Sequence, residues 1–324
     1  MKPLVFGGLS VWPPVMSAPL AGYTGGVYRE ILREHGCPYC VTEMVSAKGL
    51  LLGGDNSEEI LVHSAEDKPL AVQLFGHDPD DMARAAEKIQ DPSYGFDCID
   101  INLGCSARKI TSQGSGGALL KDLRRAGDVV RSMKSVARLP VTAKSRLGWD
   151  DSGHAEEVAS VLAEAGLDML VLHGRTVCQG YSGKADWGAI YRAAAGVPIP
   201  VVGNGDVSSA RDAISKLDGG PVSGVMIGRA ILGNPVLFDD LIKAMKGEEA
   251  PPYTPERKMR LAAEHFRRSV ARYGEVKGVL DMRKQLAFYF RGMRGAPRLR
   301  DRLMKEKSPA KVLQILEEGW REVR

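Results

Sequence analysis

The sequence is short of cysteine and aromatic residues and contains no long apolar segment. Five cysteines at irregular spacing among 324 residues exclude a disulfide framework and favour a reducing compartment. No run of about 18 apolar residues is present, and the first residues lack the apolar core of a signal peptide. No G-x-G-x-x-G fingerprint follows the first apolar run, and no G-x-x-x-x-G-K-[ST] loop occurs. These absences predict a cytoplasmic protein without a membrane segment or a Rossmann-type dinucleotide domain.

Positive charge is concentrated in the C-terminal quarter of the chain. The net charge is +4, yet residues 250–324 carry 19 Lys and Arg against 9 Asp and Glu, a net of +10, which leaves the first 249 residues at −6. Apolar residues at helical spacing, such as Met259, Ala262 and Phe266, predict an all-helical domain there. A basic helical module that carries aromatic residues is typical of proteins that bind nucleic acid. The alternative is a solvated, charged helix face.

Short apolar runs rich in β-branched residues alternate with amphipathic stretches as far as about residue 245. Eight such units in this length fit a TIM (β/α)8 barrel. A doubly wound sheet is the competing α/β arrangement, but its dinucleotide fingerprint is absent. We therefore predict an α/β fold with a barrel at residues 1–247 and a small all-helical domain at 248–324. The predicted strands are 15–20, 41–45, 70–75, 96–103, 141–146, 169–173, 201–204 and 222–227.

Polar side chains stand where almost every predicted strand ends, whereas the strand interiors are mostly apolar. In a barrel the carboxyl ends of the strands meet on one face, where the chemistry takes place. A single polar residue at a strand end could simply cap that strand. Polar residues at eight converging strand ends indicate a binding site. The residues at these ends are Ala18, Pro19, Glu43, Gln73, Asn102, Cys105, Lys144, Arg146, His173, Arg175, Asn204, Asp206, Gly228 and Arg229.

Cys105 occupies the position most suggestive of chemistry. It follows the predicted strand that ends in Asn102-Leu103-Gly104, and a basic, glycine-rich loop continues to Ala118. A thiol on a flexible loop at the mouth of a scaffold is well placed to react, and an ordinary thiol is largely protonated at neutral pH. We therefore predict that Cys105 is a catalytic acid. The alternative is a small buried apolar residue.

The last two strand ends are suited to a phosphate group. Gly203-Asn204-Gly205-Asp206 is a glycine-rich turn before a helix, and Gly228-Arg229 adds a glycine for close approach and an arginine for a phosphate oxygen. The loops after strands seven and eight are the usual phosphate site of this barrel. With Gln73, Lys144 and His173 the set suits FMN, because a lysine would stabilise negative charge on the reduced flavin. An ion pair for Lys144 and a core position for His173 are the alternatives.

These motifs together resemble the bacterial tRNA-dihydrouridine synthases. The resemblance runs in order through the whole barrel and into the helical region. It implies bound FMN, NADPH as reductant, and reduction of the C5–C6 double bond of uridines in tRNA. The motifs are Met16-Ser17-Ala18-Pro19-Leu20-Ala21-Gly22, Thr42-Glu43-Met44, Val72-Gln73-Leu74-Phe75-Gly76, Asp100-Ile101-Asn102-Leu103-Gly104-Cys105, Lys144-Ser145-Arg146-Leu147-Gly148-Trp149, His173-Gly174-Arg175-Thr176, Asn204-Gly205-Asp206, Ile227-Gly228-Arg229 and Met282-Arg283-Lys284-Gln285.

The resemblance also implies roles for individual residues. Cys105 corresponds to the catalytic acid and Asn102 to its neighbour at the substrate. Two positions depart from the family pattern, since Ser106 stands where proline is usual and Val177 where a basic residue is frequent. The predicted FMN-site residues are Ala18, Pro19, Gln73, Lys144, His173, Asn204, Gly205, Asp206, Gly228 and Arg229. The other predicted substrate contacts are Arg175, Lys184, Arg283 and Lys284.

Two other functions stay open at this point. An FMN barrel that acts on a free pyrimidine, like the dihydroorotate dehydrogenases, would leave the +10 segment without a role. An RNA-binding protein on an inactive barrel would leave Cys105 and Lys144 unexplained. We expect tRNA and NADPH as partners, no stable protein partner and a monomer. No metal is expected, because Cys37-Pro38-Tyr39-Cys40 is a lone C-x-x-C.

Overall fold

The chain forms a curled parallel sheet followed by a group of helices, in a computed structural model that describes residues 1–53 and 55–319. Two short antiparallel strands come first, β1 (Leu4–Phe6) and β2 (Leu9–Val11). The eight strands of the sheet are β3 (Val15–Ser17), β4 (Cys40–Ser46), β5 (Leu70–Phe75), β6 (Cys98–Leu103), β7 (Val141–Arg146), β8 (Met169–His173), β9 (Val201–Asn204) and β10 (Gly224–Ile227).

The sheet closes on itself as a barrel. Its strand order is β3-β10-β9-β8-β7-β6-β5-β4, with parallel pairing throughout. The remaining gap is bridged where the Ser17 amide donates to the Tyr39 carbonyl at 3.1 Å, next to the start of β4. The register sets Asn102 beside Lys144 and His173 beside Asn204, so polar strand ends meet at one level. This arrangement confirms the predicted TIM-type barrel.

Helices connect the strands and cover the outside of the barrel. Their starts follow ordinary capping, as at Asp78, whose carboxylate accepts the amides of Asp80 and Asp81 while Pro79 opens the helix. These helices are α1 (Gly26–Glu34), α2 (Ala47–Leu51), α3 (Asp55–Leu61), α4 (Pro79–Ile89), α5 (Arg108–Thr111), α6 (Leu123–Val136), α7 (Ala155–Glu164), α8 (Trp187–Ala195), α9 (Ala210–Asp218) and α10 (Leu237–Met245). Short 3-10 helices lie at Gly116–Lys121, Ser152–His154 and Arg229–Ile231.

The hairpin of β1 and β2 fills the amino-terminal end of the barrel. Leu4, Phe6 and Val11 are buried in one cluster with the inward-facing Met169 and Met226. The barrel is therefore closed at this end, and only its carboxyl end is open to a ligand.

The C-terminal helices have an apolar cluster of their own, distinct from the cluster between the barrel strands and their helices. They are α11 (Pro255–Tyr273), α12 (Glu275–Tyr289), α13 (Ala296–Lys305) and α14 (Pro309–Gly319). Residues 320–324, the end of the predicted helical domain, lie outside the described residues. A helical C-terminal region was predicted, and the structure confirms it. None of the described helices has the length and apolarity needed to cross a membrane.

A polar and aromatic seam joins the helical region to the barrel. The Tyr28 ring stacks on His265 with 4.9 Å between ring centroids, and the Tyr28 hydroxyl donates to the Ile231 carbonyl. The Gln285 amide donates to the Tyr23 carbonyl at 2.8 Å. The helical region therefore lies against α1 and the loops that follow β3 and β10.

Candidate active site

A polar cleft of about 760 Å³ opens at the carboxyl ends of the barrel strands. Its size falls within the ~300–1,000 Å³ typical of small-molecule sites. Each of the eight strands contributes a lining residue near its end, although β4 contributes Met44 and not the predicted Glu43. The lining includes Ala18, Pro19, Met44, Gln73, Asn102, Cys105, Lys144, Arg146, His173, Asn204, Gly205, Asp206, Gly228 and Arg229.

Cys105 lies in the wall of this cleft on a loop that is held in place. The side-chain oxygen of Asn102 accepts the amides of Gly104 at 3.3 Å and Cys105 at 3.0 Å. The amide of Gly117 donates to the Cys105 carbonyl at 3.0 Å. A Cβ atom on Gly116 would lie only 3.2 Å from that of Cys105. The glycine-rich run therefore packs against the thiol-bearing loop, which is less free than its composition suggested.

A buried hydrogen-bond chain supports this loop from below. The Asp100 carboxylate accepts from the Thr142 hydroxyl and from the Gln73 amide, both at 2.7 Å. The Gln73 carbonyl oxygen in turn accepts from the Asn102 amide at 2.8 Å. Burial raises the pKa of Asp100 to about 6. The chain fixes the orientation of Gln73 and Asn102, two residues that the sequence placed at the site.

Lys144 carries a buried amine at the floor of the cleft. Its Nζ donates to the side-chain oxygen of Asn204 at 3.1 Å, and the Asn204 amide donates to the Met226 carbonyl at 2.8 Å. Burial, followed by the charge of Arg146, lowers the pKa of Lys144 to about 8. Within the described chain Lys144 is held by a neutral oxygen and not by a carboxylate. Its charge is therefore available to a ligand, and the ion-pair alternative is not what the structure shows.

His173 is a neutral imidazole at this site. Burial, together with the charges of Lys144, Arg146, Arg175 and Arg229, lowers the pKa of His173 to about 2. Four cations around one buried ring give the cleft a positive potential, which favours an anionic ligand. His173 lines the cleft, and as a neutral imidazole it offers one N–H donor and one acceptor but does not act as an acid near neutral pH.

The turns after β9 and β10 leave room for a phosphate group. Gly205 has φ +123°, and a Cβ atom there would lie 2.9 Å from the His173 ring, so the tight turn requires glycine. At Gly228 the nearest neighbour of such an atom would be the Ala18 Cβ, 3.9 Å away. Arg229 is half-exposed, and its guanidinium lies 3.7 Å from the Asp206 carboxylate. A partly exposed cation thus lies beside an open stretch of backbone.

Arg146 links two loops around the cleft. It is buried, and it donates to the carbonyls of Gly104 at 2.9 Å, Thr176 at 2.8 Å and Gly180 at 2.7 Å. The sequence placed Arg146 at a strand end but gave it no role. Only the folded chain shows that this side chain ties the Cys105 loop to the loop after β8.

Two further lining residues were not indicated as functional by the sequence. Tyr181 is 57% exposed, and the Arg229 guanidinium lies 4.6 Å from its ring centroid. The sequence feature that could have pointed to Tyr181 is an aromatic residue in a turn between two glycines, Gly180 and Gly183. Arg291, from the turn after α12, also lines the cleft, so the helical region forms part of its wall.

Of the predicted substrate contacts, Asn102 lines the cleft, whereas Arg175, Lys184, Arg283 and Lys284 do not. Arg175 is 2% exposed, and its guanidinium donates to Asp206 at 2.7 Å and to the carbonyls of Ser182 and Gly183. This arginine therefore supports the loop after β8 from beneath. Lys184 is exposed on that loop.

Arg283 and Lys284 differ from each other in their surroundings. Arg283 is half-buried and donates to the Glu306 carbonyl at 3.1 Å. Lys284 is exposed at the seam, where its Nζ lies 5.7 Å from the Tyr23 ring centroid. Only Lys284 of the two presents its charge to solvent.

The C-x-x-C pair lies far down the barrel. Cys37 and Cys40 are both buried, with 3.7 Å between their sulfur atoms. Among the described residues no three His, Cys, Asp or Glu side chains gather as a metal site.

The sequence matches a family model over nearly its whole length. The family described as Dihydrouridine synthase (Dus) matches residues 16–323. The chain belongs to this family. The resemblance seen in the motifs is thereby confirmed. As a member of the dihydrouridine synthase family, the protein is a flavin-dependent oxidoreductase that uses FMN and NADPH, which confirms the predicted enzyme class and cofactors.

Curated relatives of this dihydrouridine synthase match it end to end. The probable tRNA-dihydrouridine synthase 1 of Synechocystis sp. is 36% identical over 98% of this chain and 89% of its own length. The probable tRNA-dihydrouridine synthase of Rhodobacter capsulatus is 36% identical over 96% of this chain and 95% of its own. The tRNA-dihydrouridine synthase B of Pseudomonas syringae pv. tomato is 33% identical over 93% and 89%, respectively.

A solved structure supports the fold. Histamine dehydrogenase from Rhizobium sp. 4-9 superposes with a TM-score of 0.56 at 15% identity and covers 75% of this chain. The match spans 47% of that enzyme, about half its length. At this identity the likeness concerns the barrel architecture alone.

Proposed function

We propose that the protein reduces the C5–C6 double bond of uridines in tRNA. The observation that carries the proposal is one cleft that presents both the Cys105 thiol and the Lys144 amine, with Arg291 of the basic helical region in its wall. The names of the relatives, which specify tRNA, support the same substrate.

The donor set of the cleft fits FMN. Arg229 and the open backbone at Gly228 suit the phosphate, and the positive potential around His173 favours its charge. The Gln73 carboxamide has two N–H donors and two acceptor positions. One donor is used toward Asp100 and one acceptor position toward Asn102, so one of each is left for FMN. We assign the following residues to the FMN site: Ala18, Pro19, Gln73, Lys144, His173, Asn204, Gly205, Asp206, Gly228 and Arg229.

The chemistry needs a hydride and a proton. FMN, held by the residues assigned above, would supply the hydride for C6 of the uracil ring, with NADPH as the source of that hydride. Cys105 gives its thiol proton to C5, so that hydride and proton together saturate the double bond, and the thiolate regains a proton from solvent. Asn102, which accepts the Cys105 amide at 3.0 Å, positions this thiol.

The other titratable groups of the cleft suit supporting roles. His173, with its pKa lowered to about 2, remains neutral and acts as a hydrogen-bonding partner. Lys144 supplies a positive charge that stabilises negative charge as it develops during hydride transfer. Asn204, which accepts from the Lys144 ammonium at 3.1 Å, fixes its position.

Replacing Arg229 by alanine is expected to weaken FMN binding by roughly 1.5–3 kcal/mol, the usual value of a hydrogen bond to a charged group. Titration of FMN into the apoprotein measures this loss. Arg84→Ala, which removes an exposed arginine paired with Asp81 on the outer wall, serves as the matched control. Equal FMN affinity in the Arg229 variant and the control would exclude Arg229 from the phosphate site.

We propose further that the chain divides into a catalytic barrel at 1–247 and a tRNA-binding helical domain at 248–324. The separate apolar cluster of the helices and the net charge of +10 support this division. Lys184 and Lys284, both exposed, are suited to contact RNA directly. Arg175 and Arg283, which donate to neighbouring carbonyls, act by holding their loops.

The protein is proposed to work as a monomer in the cytoplasm. One chain supplies all the residues that line the cleft, so a second copy is not needed to complete it. All five cysteines are free thiols, as expected in a reducing compartment.

Unmodified tRNA transcript is the decisive substrate. Incubated with the protein and NADPH, it is expected to gain dihydrouridine in proportion to the NADPH consumed. Free uracil, uridine and dihydroorotate tested in parallel address the free-pyrimidine alternative. Turnover of a free pyrimidine with no dihydrouridine in the transcript would refute the tRNA assignment.

A further inference from the structure

A band of positive charge directly follows the catalytic loop. Between Cys105 and Gly127 the chain has five Lys and Arg residues and only one acidic residue, Asp122. The Asp122 carboxylate caps α6 by accepting the Arg125 amide at 3.0 Å. Arg125 itself donates to the His77 carbonyl at 2.9 Å. The other four cations, here called the basic rim, are Arg108, Lys109, Lys121 and Arg124.

The basic rim is exposed and is only weakly neutralised by its surroundings. All four residues are exposed, and in the part of the chain that the structure describes none of them forms a salt bridge. Arginines on the outer wall are paired, as Arg84 on α4 is with Asp81 and Arg131 on α6 is with Asp128. Gathered charges of one sign that outnumber the nearby carboxylates create a surface potential that attracts a polyanion.

The basic rim adjoins the Cys105 side of the cleft. The Gly116–Lys121 helix packs on the Cys105 loop through the amide of Gly117. At the end of this helix the Lys121 Nζ lies 3.9 Å from the Trp149 ring centroid, beyond β7. The rim therefore follows β6 and borders the loop after β7.

The barrel places this rim across the mouth from the helical region. The helical region packs against the loops after β3 and β10, through Tyr23 and Gly233 among others. In the closed strand order β6 and β7 lie on the opposite side of the barrel from β3 and β10. The cleft thus opens between two positively charged surfaces, one on each domain.

We infer that the basic rim binds the sugar–phosphate backbone of the substrate RNA, which then bridges the cleft mouth from the helical region to the barrel. The inference rests on the proposed function and adds a second RNA-binding surface to it. A uridine drawn into the cleft has a phosphate on each side. Contacts on both sides of the cleft mouth hold the two neighbouring RNA segments apart. Phosphate contacts of this kind supply affinity and register without reading the base sequence.

The test compares two double variants that lose the same charge. In Lys109→Gln/Arg124→Gln, tRNA binding at about 0.1 M salt is expected to weaken roughly 10–100-fold, and the slope of log affinity against log salt to fall by about one to two. The KM for tRNA rises in parallel. The control, Arg84→Gln/Arg131→Gln on the outer wall, retains wild-type affinity and slope.

Melting temperature and FMN content check that each variant is folded. If the first rim variant fails this check, Arg108→Gln/Lys121→Gln gives a second, independent measurement. Rim variants that bind tRNA as tightly as the control, with an unchanged salt slope, overturn the inference. Wild-type protein that binds tRNA through the rim but reduces no uridine would refute the proposed reaction and leave the rim in place. If the wild-type protein reduces uridine in tRNA but tRNA binding does not depend on the rim residues, only the inference about the basic rim is refuted.

Discussion

Replacing Cys105 by alanine is expected to slow uracil reduction by roughly 10²–10⁴-fold, the usual cost of losing a general acid. Reduction of the flavin by NADPH is expected to proceed normally, because in the proposed reaction the thiol takes part only in the proton transfer to C5. Stopped-flow absorbance measures flavin reduction, and a single-turnover assay with tRNA measures flavin reoxidation. The two half-reactions are thereby separated in one preparation.

Cys178→Ala is the matched control for this variant, since Cys178 is the exposed cysteine on the loop after β8. It is expected to leave both half-reactions unchanged. Equal losses in both half-reactions of the Cys105 variant would mark Cys105 as structural. Full activity in both would assign the acid to another group, and Lys144, whose pKa is lowered to about 8, is the first to test.

Replacing Lys144 by methionine is expected to slow hydride transfer to tRNA by about 10²–10³-fold, the usual loss when one preorganised electrostatic donor is removed. The pH profile gives a second signature. Because the pKa of Lys144 lies at about 8, its charged fraction falls as pH rises through that value. The wild-type rate is therefore expected to decline on the alkaline side, and the methionine variant to lack this decline.

Lys216→Met provides the control, since Lys216 lies over the Trp187 ring on the outside of the barrel. It is expected to retain the wild-type rate and pH profile. A Lys144→Met enzyme with the wild-type rate would show that the ammonium is not needed. An alkaline decline that persists in this variant would belong to another group.

The sequence predicted the barrel well because most of its strands begin as short apolar runs and have a polar residue at or near the end. The strands at 70–75, 141–146, 169–173 and 201–204 match the structure residue for residue. The first predicted strand is too long, because Pro19 has no amide to donate and the Leu20 amide bonds the Thr24 hydroxyl at 2.8 Å. The β1–β2 hairpin was missed, since two strands of three residues are too short for a clear alternation of apolar and polar positions.

The candidate site was predictable to the extent that it depends on strand ends. A parallel barrel brings those ends together whatever the loops do, so Gln73, Lys144 and Asn204 were found. The positions of the other site residues depend on the conformation of the loops. Arg175 was expected at the substrate, but the carbonyls of Ser182 and Gly183 draw its guanidinium under a loop. Such contacts join segments with no shared sequence pattern.

The seam between barrel and helices has a consequence for how a uridine is chosen. Swinging the two parts relative to each other would unstack Tyr28 from His265, whose centroids lie 4.9 Å apart, and break the Gln285–Tyr23 bond. These contacts therefore fix the distance from the helical surface to the cleft. The RNA must make the adjustment, and extruding its base costs a few kcal/mol. The nucleotide that reacts is the one that the folded RNA holds at the right distance, so the enzyme selects a position in space and not a sequence.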